Sequence, residues 1–203
     1  MTSVLFLGAH PDDEMACSGY LRRLSEEGAE ISAVTFSDCD DMIPAGFTVE
    51  DLIAEWRKAM ALLGVCDLTI LDVPNRRFPE FRQKILLALD GLRGKYDLVL
   101  CPATSDAHQD HATVTAEAIR AFKHTTIWGY ELPLNAVGET RRNGYVRLTA
   151  DLLDVKLRHA ATYRSQALRP YMAEEYIRSL AWVRGMQAGC DIAESYEVIR
   201  EIR

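Results

Sequence analysis

Short runs of apolar and β-branched residues alternate along this chain with longer segments of helical period, and that alternation restricts the fold more than any other feature. The runs are Val4 to Leu7, Ile31 to Phe36, Leu68 to Leu71, Leu98 to Cys101 and Thr126 to Trp128. Between them, Leu52, Trp56, Met60 and Leu63 share one helical face, as do Phe81, Ile85, Leu89 and Leu92. Strands that alternate with amphipathic helices predict an α/β fold with a mostly parallel sheet, a Rossmann-like three-layer sandwich. Gly28, Gly64 and Gly94 each end a helical segment ahead of a strand, where a left-handed C-cap is expected. From Asp151 the pattern predicts a helix to about Leu168, a break at Pro170 and a second helix over 173–188. Tyr196 to Ile202 reads equally well as a short strand or a short helix.

A chain of 203 residues with 48% hydrophobic and 26% charged residues makes one domain, taken here as residues 1–203, with a sizeable core. No apolar run approaches the roughly 20 residues of a membrane-spanning helix. The N-terminal MTSVLFLGAHP has neither a basic leading segment nor a small-residue cleavage site, and its apolar part reads as a strand, so the expected location is the cytoplasm. A net charge of -7 leaves no basic stripe for a nucleic acid. The five cysteines are scattered without a CxxC pair, as expected of reduced and mostly buried thiols. Nothing in the composition fixes the oligomeric state, and a homo-oligomer stays open.

Four irregular stretches, Ser37 to Thr48, Val73 to Pro79, Pro102 to Asp110 and Leu132 to Tyr145, each leave the C-terminal end of a predicted strand. In an open α/β sheet those loops form the ligand crevice. The first strand itself runs into GAHPDDE, Gly8 to Glu14. Taken alone, Asp12 or Asp13 is an ordinary helix N-cap. His10 alters that reading, because an imidazole and the Asp13 carboxylate, three residues apart across a rigid proline, can meet at one point and form half of a catalytic zinc site. A cation also offsets the repulsion between crowded carboxylates.

The second feature is SDAHQDH, Ser105 to His111, after the fourth predicted strand. One further histidine from this loop would complete a set of two histidines and one carboxylate, leaving a position for water. An HxxH in a loop is weak evidence alone. Two such loops at sheet ends are stronger evidence. His124 and His159 have no acidic or histidine neighbours at ligand spacing and are read as structural.

Together these motifs resemble the PIG-L/LmbE-like family of zinc-dependent N-deacetylases, whose hallmarks stand here as AHPDDE and HQDH. EWRKAMALLGV, KLRHAATYRSQ and RGMQAGCDIAESYEVIR resemble its later segments in the same order. The resemblance implies a hydrolase that removes an acetyl group from an N-acetylated sugar or glycoconjugate. It implies His10, Asp13 and His111 as ligands of Zn2+, with Fe2+ or cobalt equally acceptable to such donors. Asp12 is then the general base, His108 the stabiliser of the oxyanion, and Asp110 the residue that orients His108. An N-cap role is an alternative for Asp110. Either Asp12 or His108 would protonate the departing amine. Gln109 stands where the family often has proline, a change that spares every proposed functional group.

Other residues carry weaker readings. Ser37 to Asp41 is expected to be a solvated acidic loop, with crevice lining as the alternative. Arg76 or Arg77 could meet an anionic group, and Tyr163, Ser165 and Gln166 are left outside the site. Two other functions compete: hydrolysis of a different acyl amide or antibiotic-type conjugate, and nucleotide binding by a non-catalytic Rossmann-like module. The lack of GxGxxG after the first strand disfavours the last.

Overall fold

In a computed structural model of the chain, residues 1–137 and 140–202 are described; Gly138, Glu139 and Arg203 lie outside the described residues. The five expected strands form as β1 (Ser3–Gly8), β2 (Glu30–Thr35), β3 (Asp67–Ile70), β4 (Leu98–Pro102) and β5 (Thr126–Tyr130). They pair in parallel in the order β3-β2-β1-β4-β5. The helices α1 (Ser18–Glu26), α2 (Val49–Leu62), α3 (Phe78–Asp90) and α4 (Gln109–Ala121) connect them. Gly64 has the expected left-handed backbone, φ +80°, and a Cβ there would fall 2.1 Å from the Ser25 hydroxyl oxygen.

Both faces of the sheet are covered because alternate strand residues point to opposite sides. Val4 and Phe6 of β1 pack with Leu21 of α1 and Leu52, Trp56 and Met60 of α2. Leu5 and Leu7 pack instead with Ile85 and Leu89 of α3 and Val114 and Ala118 of α4. The result is the expected three-layer arrangement.

Beyond β5 the chain departs from the sequence reading at one added strand and at the end of one helix, and the open reading of the C-terminal segment is decided in favour of a strand. The stretch expected to be irregular contains β6 (Gly144–Arg147), and the C-terminal segment resolves as strand β7 (Ala193–Arg200). β7 runs antiparallel to β5, and β6 antiparallel to β7 at the edge. Helix α5 (Ala150–Ala160) stops short of Leu168. Its continuation is diverted by tertiary contacts, since the Ser165 backbone N–H and hydroxyl both donate to the Glu55 carboxylate. α6 (Glu174–Ala188) follows after Pro170, as expected. Among the described residues, no helix is long and apolar enough to cross a membrane.

β1 and β4 are neighbours, but β1 leads outward to β2 on one side and β4 to β5 on the other. The strand order therefore reverses between them, and the crevice beyond their C-terminal ends is where open α/β sheets bind ligands. HPDDE leaves β1 and HQDH follows β4, so the topology alone brings the two motifs together.

Candidate active site

The two motifs line a cavity of about 250 Å³. All four strand-end stretches contribute to it, through Cys39 and Met42, Asn75 and Arg76, His108, and Leu132 to Asn135. Among the described residues, the non-glycine positions with positive φ are Asp12 (110°), Cys39 (57°) and Arg76 (61°), and all three line this cavity. Strained backbone of this kind clusters at functional sites, where surrounding contacts hold it in place.

His10, Asp13 and His111 converge. His10 Nδ1 lies 3.2 Å from His111 Nε2, His111 Nε2 lies 3.3 Å from an Asp13 oxygen, and the other Asp13 oxygen is 3.9 Å from His10 Nδ1. Ligand bonds of 2.0–2.1 Å in a tetrahedron put neighbouring donors about 3.3 Å apart. The three side chains therefore fit a tetrahedral divalent cation with little movement.

The outer atoms of both histidines support the same conclusion. His10 Nε2 bonds Asp110 at 3.1 Å, and His111 Nδ1 bonds Asp106 at 2.7 Å. A carboxylate on the outer nitrogen fixes the N–H there and leaves the inner nitrogen's lone pair for a metal. Nitrogens of His10, His108 and His111 also lie within 4.8 Å of one another. His108 differs from the other two, however, because its Nδ1 accepts the Asp110 backbone N–H at 3.3 Å. In the neutral ring Nε2 then carries the proton and is a donor rather than a ligand.

This geometry corrects one expectation. The Asp110 carboxylate does not orient His108; it accepts from His10 Nε2 and from the backbone N–H groups of Arg76 and Phe78. Only its backbone N–H reaches His108, which caps α4. The reason is local: with His108 at the N-cap, Asp110 falls in the first turn of α4 and its side chain projects toward the β1 loop. The Ser37–Asp41 reading is also refined, because Cys39 is buried and lines the cavity while Asp40 and Asp41 are exposed. His124 is exposed and outside the cavity lining.

The adjacent acids Asp12 and Asp13 lie in opposite fields. Burial alone would raise Asp13, but His111 and His10 hold it well below the usual carboxylate range. Burial pushes Asp12 well above that range, reinforced by Asp13 and Glu14 and opposed by a hydrogen bond from Tyr171 and by His111. His111 is pushed up to about 10 by Asp13 and Asp106, against burial. A cation would compete with protons for these same lone pairs. For His108, burial and the neighbouring His111 and His10 push the pKa down, which favours a neutral ring that still donates Nε2–H.

Several contacts come from residues to which the sequence reading gives no role. Asp106 buttresses His111, and Tyr171 donates to Asp12 at 2.9 Å. Asp106 stands inside SDAHQDH, but a five-residue offset across a loop has no fixed geometry. Tyr171 follows Pro170 in a short turn 159 residues from its partner, and no local signal marks it.

The family model for PIG-L, described as GlcNAc-PI de-N-acetylase, matches residues 5–122. A comparison with curated protein sequences found no match to the chain. Among solved structures, a conserved protein from Thermus thermophilus is similar with a TM-score of 0.83 and 23% identity, covering 100% of this chain and 97% of that one. The N,N'-diacetylchitobiose deacetylase from Pyrococcus horikoshii aligns with a TM-score of 0.80 and 21% identity, covering 98% of this chain and 84% of that one. The 4-carboxy-2-hydroxymuconate hydratase from Pseudomonas putida aligns with a TM-score of 0.77 and 17% identity over 100% and 98% of the two chains. At such identities these likenesses establish the fold alone, and the hydratase is a reminder that one fold carries several chemistries.

Proposed function

The chain belongs to the PIG-L family, and from that premise we propose that it is a metal-dependent hydrolase that removes the N-acetyl group from a GlcNAc-like sugar or sugar conjugate. The observation that carries this reading is the convergence of His10, Asp13 and His111, each histidine with its outer nitrogen on a carboxylate. These three would hold the cation, Zn2+ being the proposed species. When bound, it supplies Lewis acidity to the water and the acetamide carbonyl.

The remaining chemistry falls to the protein's own groups. Asp12, half-buried and raised in pKa, takes a proton from the attacking water. Such a base works best when its pKa approaches the working pH. His108 Nε2–H donates to the oxygen that becomes negative as the carbonyl carbon turns tetrahedral. The proton held by Asp12 is then available to the departing amine.

A second reading has support from the cavity wall. Met42, Leu52, Leu132, Ile177 and Leu180 line the cavity along with its polar groups, which favours an apolar group on the substrate, as in an acyl amide longer than acetamide or an antibiotic-type conjugate.

The test is release of carboxylate from a panel of free, nucleotide-linked and lipid-linked GlcNAc compounds, extended to longer N-acyl chains. Metal content is measured in parallel. Acetate release that falls by roughly 10²–10⁴-fold in Asp12→Asn, with metal retained, is the expected result. Turnover of long acyl chains alone would replace the deacetylase reading, and undiminished release by Asp12→Asn would remove Asp12 as the base.

A further inference from the structure

Three buried residues lie behind Asp12 without touching the reacting atoms. Glu14, His159 and Tyr163 are 0%, 0% and 1% exposed. One Glu14 oxygen accepts from His159 Nε2 at 3.0 Å and from the Tyr163 hydroxyl. The other accepts the backbone N–H of Asp12 at 3.3 Å. That N–H belongs to the residue with φ 110° and ψ -14°, a conformation unfavourable for any residue with a Cβ.

A carboxylate buried in this way needs donors, or its own position is lost. His159 at the end of α5 and Tyr163 just beyond supply them, with burial keeping the Tyr163 hydroxyl protonated. His159 has no competing partner, because its Nδ1 is buried without a hydrogen bond and Nε2 makes its one polar contact with Glu14. Tyr171, further along, grips the Asp12 side chain. The part of the chain that follows residue 122, where the family match ends, thus reaches the Asp12 carboxylate directly through Tyr171 and the Asp12 backbone indirectly, by holding Glu14.

We infer that His159 and Tyr163 are positioning residues that act through Glu14 to hold the Asp12 backbone in its left-handed conformation, so that the carboxylate faces the reacting water. The inference rests on Asp12 serving as the base. It separates holding the metal, which falls to the loop residues, from aiming the base, which falls to the C-terminal segment. The sequence reads His159 as structural; that structural role has a catalytic consequence.

The test uses His159→Leu, which removes the donor, His159→Gln, whose side-chain amide can replace it, and Tyr163→Phe as a milder variant. The kinetics, the metal content and the crystal structure of each are compared with the parent protein. Expected is a drop in kcat of roughly 10-fold in His159→Leu, less in Tyr163→Phe, with KM and bound metal unchanged and His159→Gln restored to within about 3-fold. In the crystal structure of His159→Leu or Tyr163→Phe, Asp12 should leave the left-handed region. Unchanged kcat with Asp12 still at positive φ would overturn the inference, as would a loss of kcat that merely tracks lost metal. If the parent protein releases no acetate at all, the proposed reaction fails, but the Asp12 conformation in the two variants still decides whether this network holds it.

Discussion

Asp12, after β1, and two carboxylates on the antiparallel side of the sheet, Glu131 and Glu194, are all shielded from water, and their surroundings treat them in opposite ways. On the antiparallel side both carboxylates are met by several donors, a cation among them. Glu194 accepts from the Gly19 and Tyr20 backbone N–H groups, from Lys156 and from Tyr196. Glu131 accepts from Arg184, Arg142 and Ser195, which outweigh burial and lower its pKa. In the crevice, Asp12 has one side-chain donor, Tyr171, and two acidic neighbours that raise its pKa along with burial. Completed networks of this kind fix architecture, whereas an under-compensated group is poised to exchange a proton.

The comparison is broken most severely by removing a proposed metal ligand. His111→Ala should abolish stoichiometric metal binding and lower hydrolysis by more than about 10³-fold, since several kcal/mol of charge stabilisation are lost. Metal per chain and rate, measured together, check this. The fold should survive, because the site lies beyond the ends of the strands rather than in either core. Retention of full metal binding would show that His108, also within 4.8 Å of His10, can replace His111.

On the antiparallel side the expected effect is on stability instead. Lys156 is 4% exposed and donates to Glu194 at 2.8 Å and to the carbonyls of Met15 and Ala16. Lys156→Met leaves a buried carboxylate without its cation and should cost about 3–5 kcal/mol in urea unfolding at unchanged m-value. Metal content at 25 °C should stay that of the parent. A cost below about 1 kcal/mol would mean that the two backbone N–H groups and Tyr196 alone satisfy Glu194.

The contrast between the regions also explains what could be read in advance. β1 to β5 are legible because parallel buried strands are written as short apolar runs, and Leu98 to Cys101 matches β4 to within one residue. The meeting of His10 and Asp13 with the second loop is legible because both motifs stand at strand ends, whereas the choice of His111 within SDAHQDH comes from the family resemblance. β6 is not, since GYVR is a four-residue edge strand with little to bury, and α5 is overestimated because Glu55 captures the chain at Ser165. Asp110 is matched to the wrong histidine for a related reason. The family resemblance pairs it with His108, two residues away, whereas its carboxylate bonds a ring one hundred residues away. Tyr171 reaches Asp12, and His159 reaches Glu14, only through tertiary packing, for which one sequence offers no period.

The mildest perturbation is also the one that separates charge from position at Asp12. Tyr171→Phe removes a single hydroxyl that donates to Asp12 at 2.9 Å and leaves the ring in place. That hydrogen bond favours the carboxylate form, so its loss raises a pKa already pushed up by burial and by Asp13 and Glu14. A base must be deprotonated to act, so activity rises with pH through this pKa, and the rise should move to higher pH in the variant. The loss of kcat/KM is therefore expected to be roughly 10-fold on the acid side and to shrink as pH increases. A pH–rate profile of the two proteins measures it. A loss independent of pH would assign Tyr171 to aiming the carboxylate alone, and the antiparallel side and the crevice would then differ in geometry rather than in how far their charges are compensated.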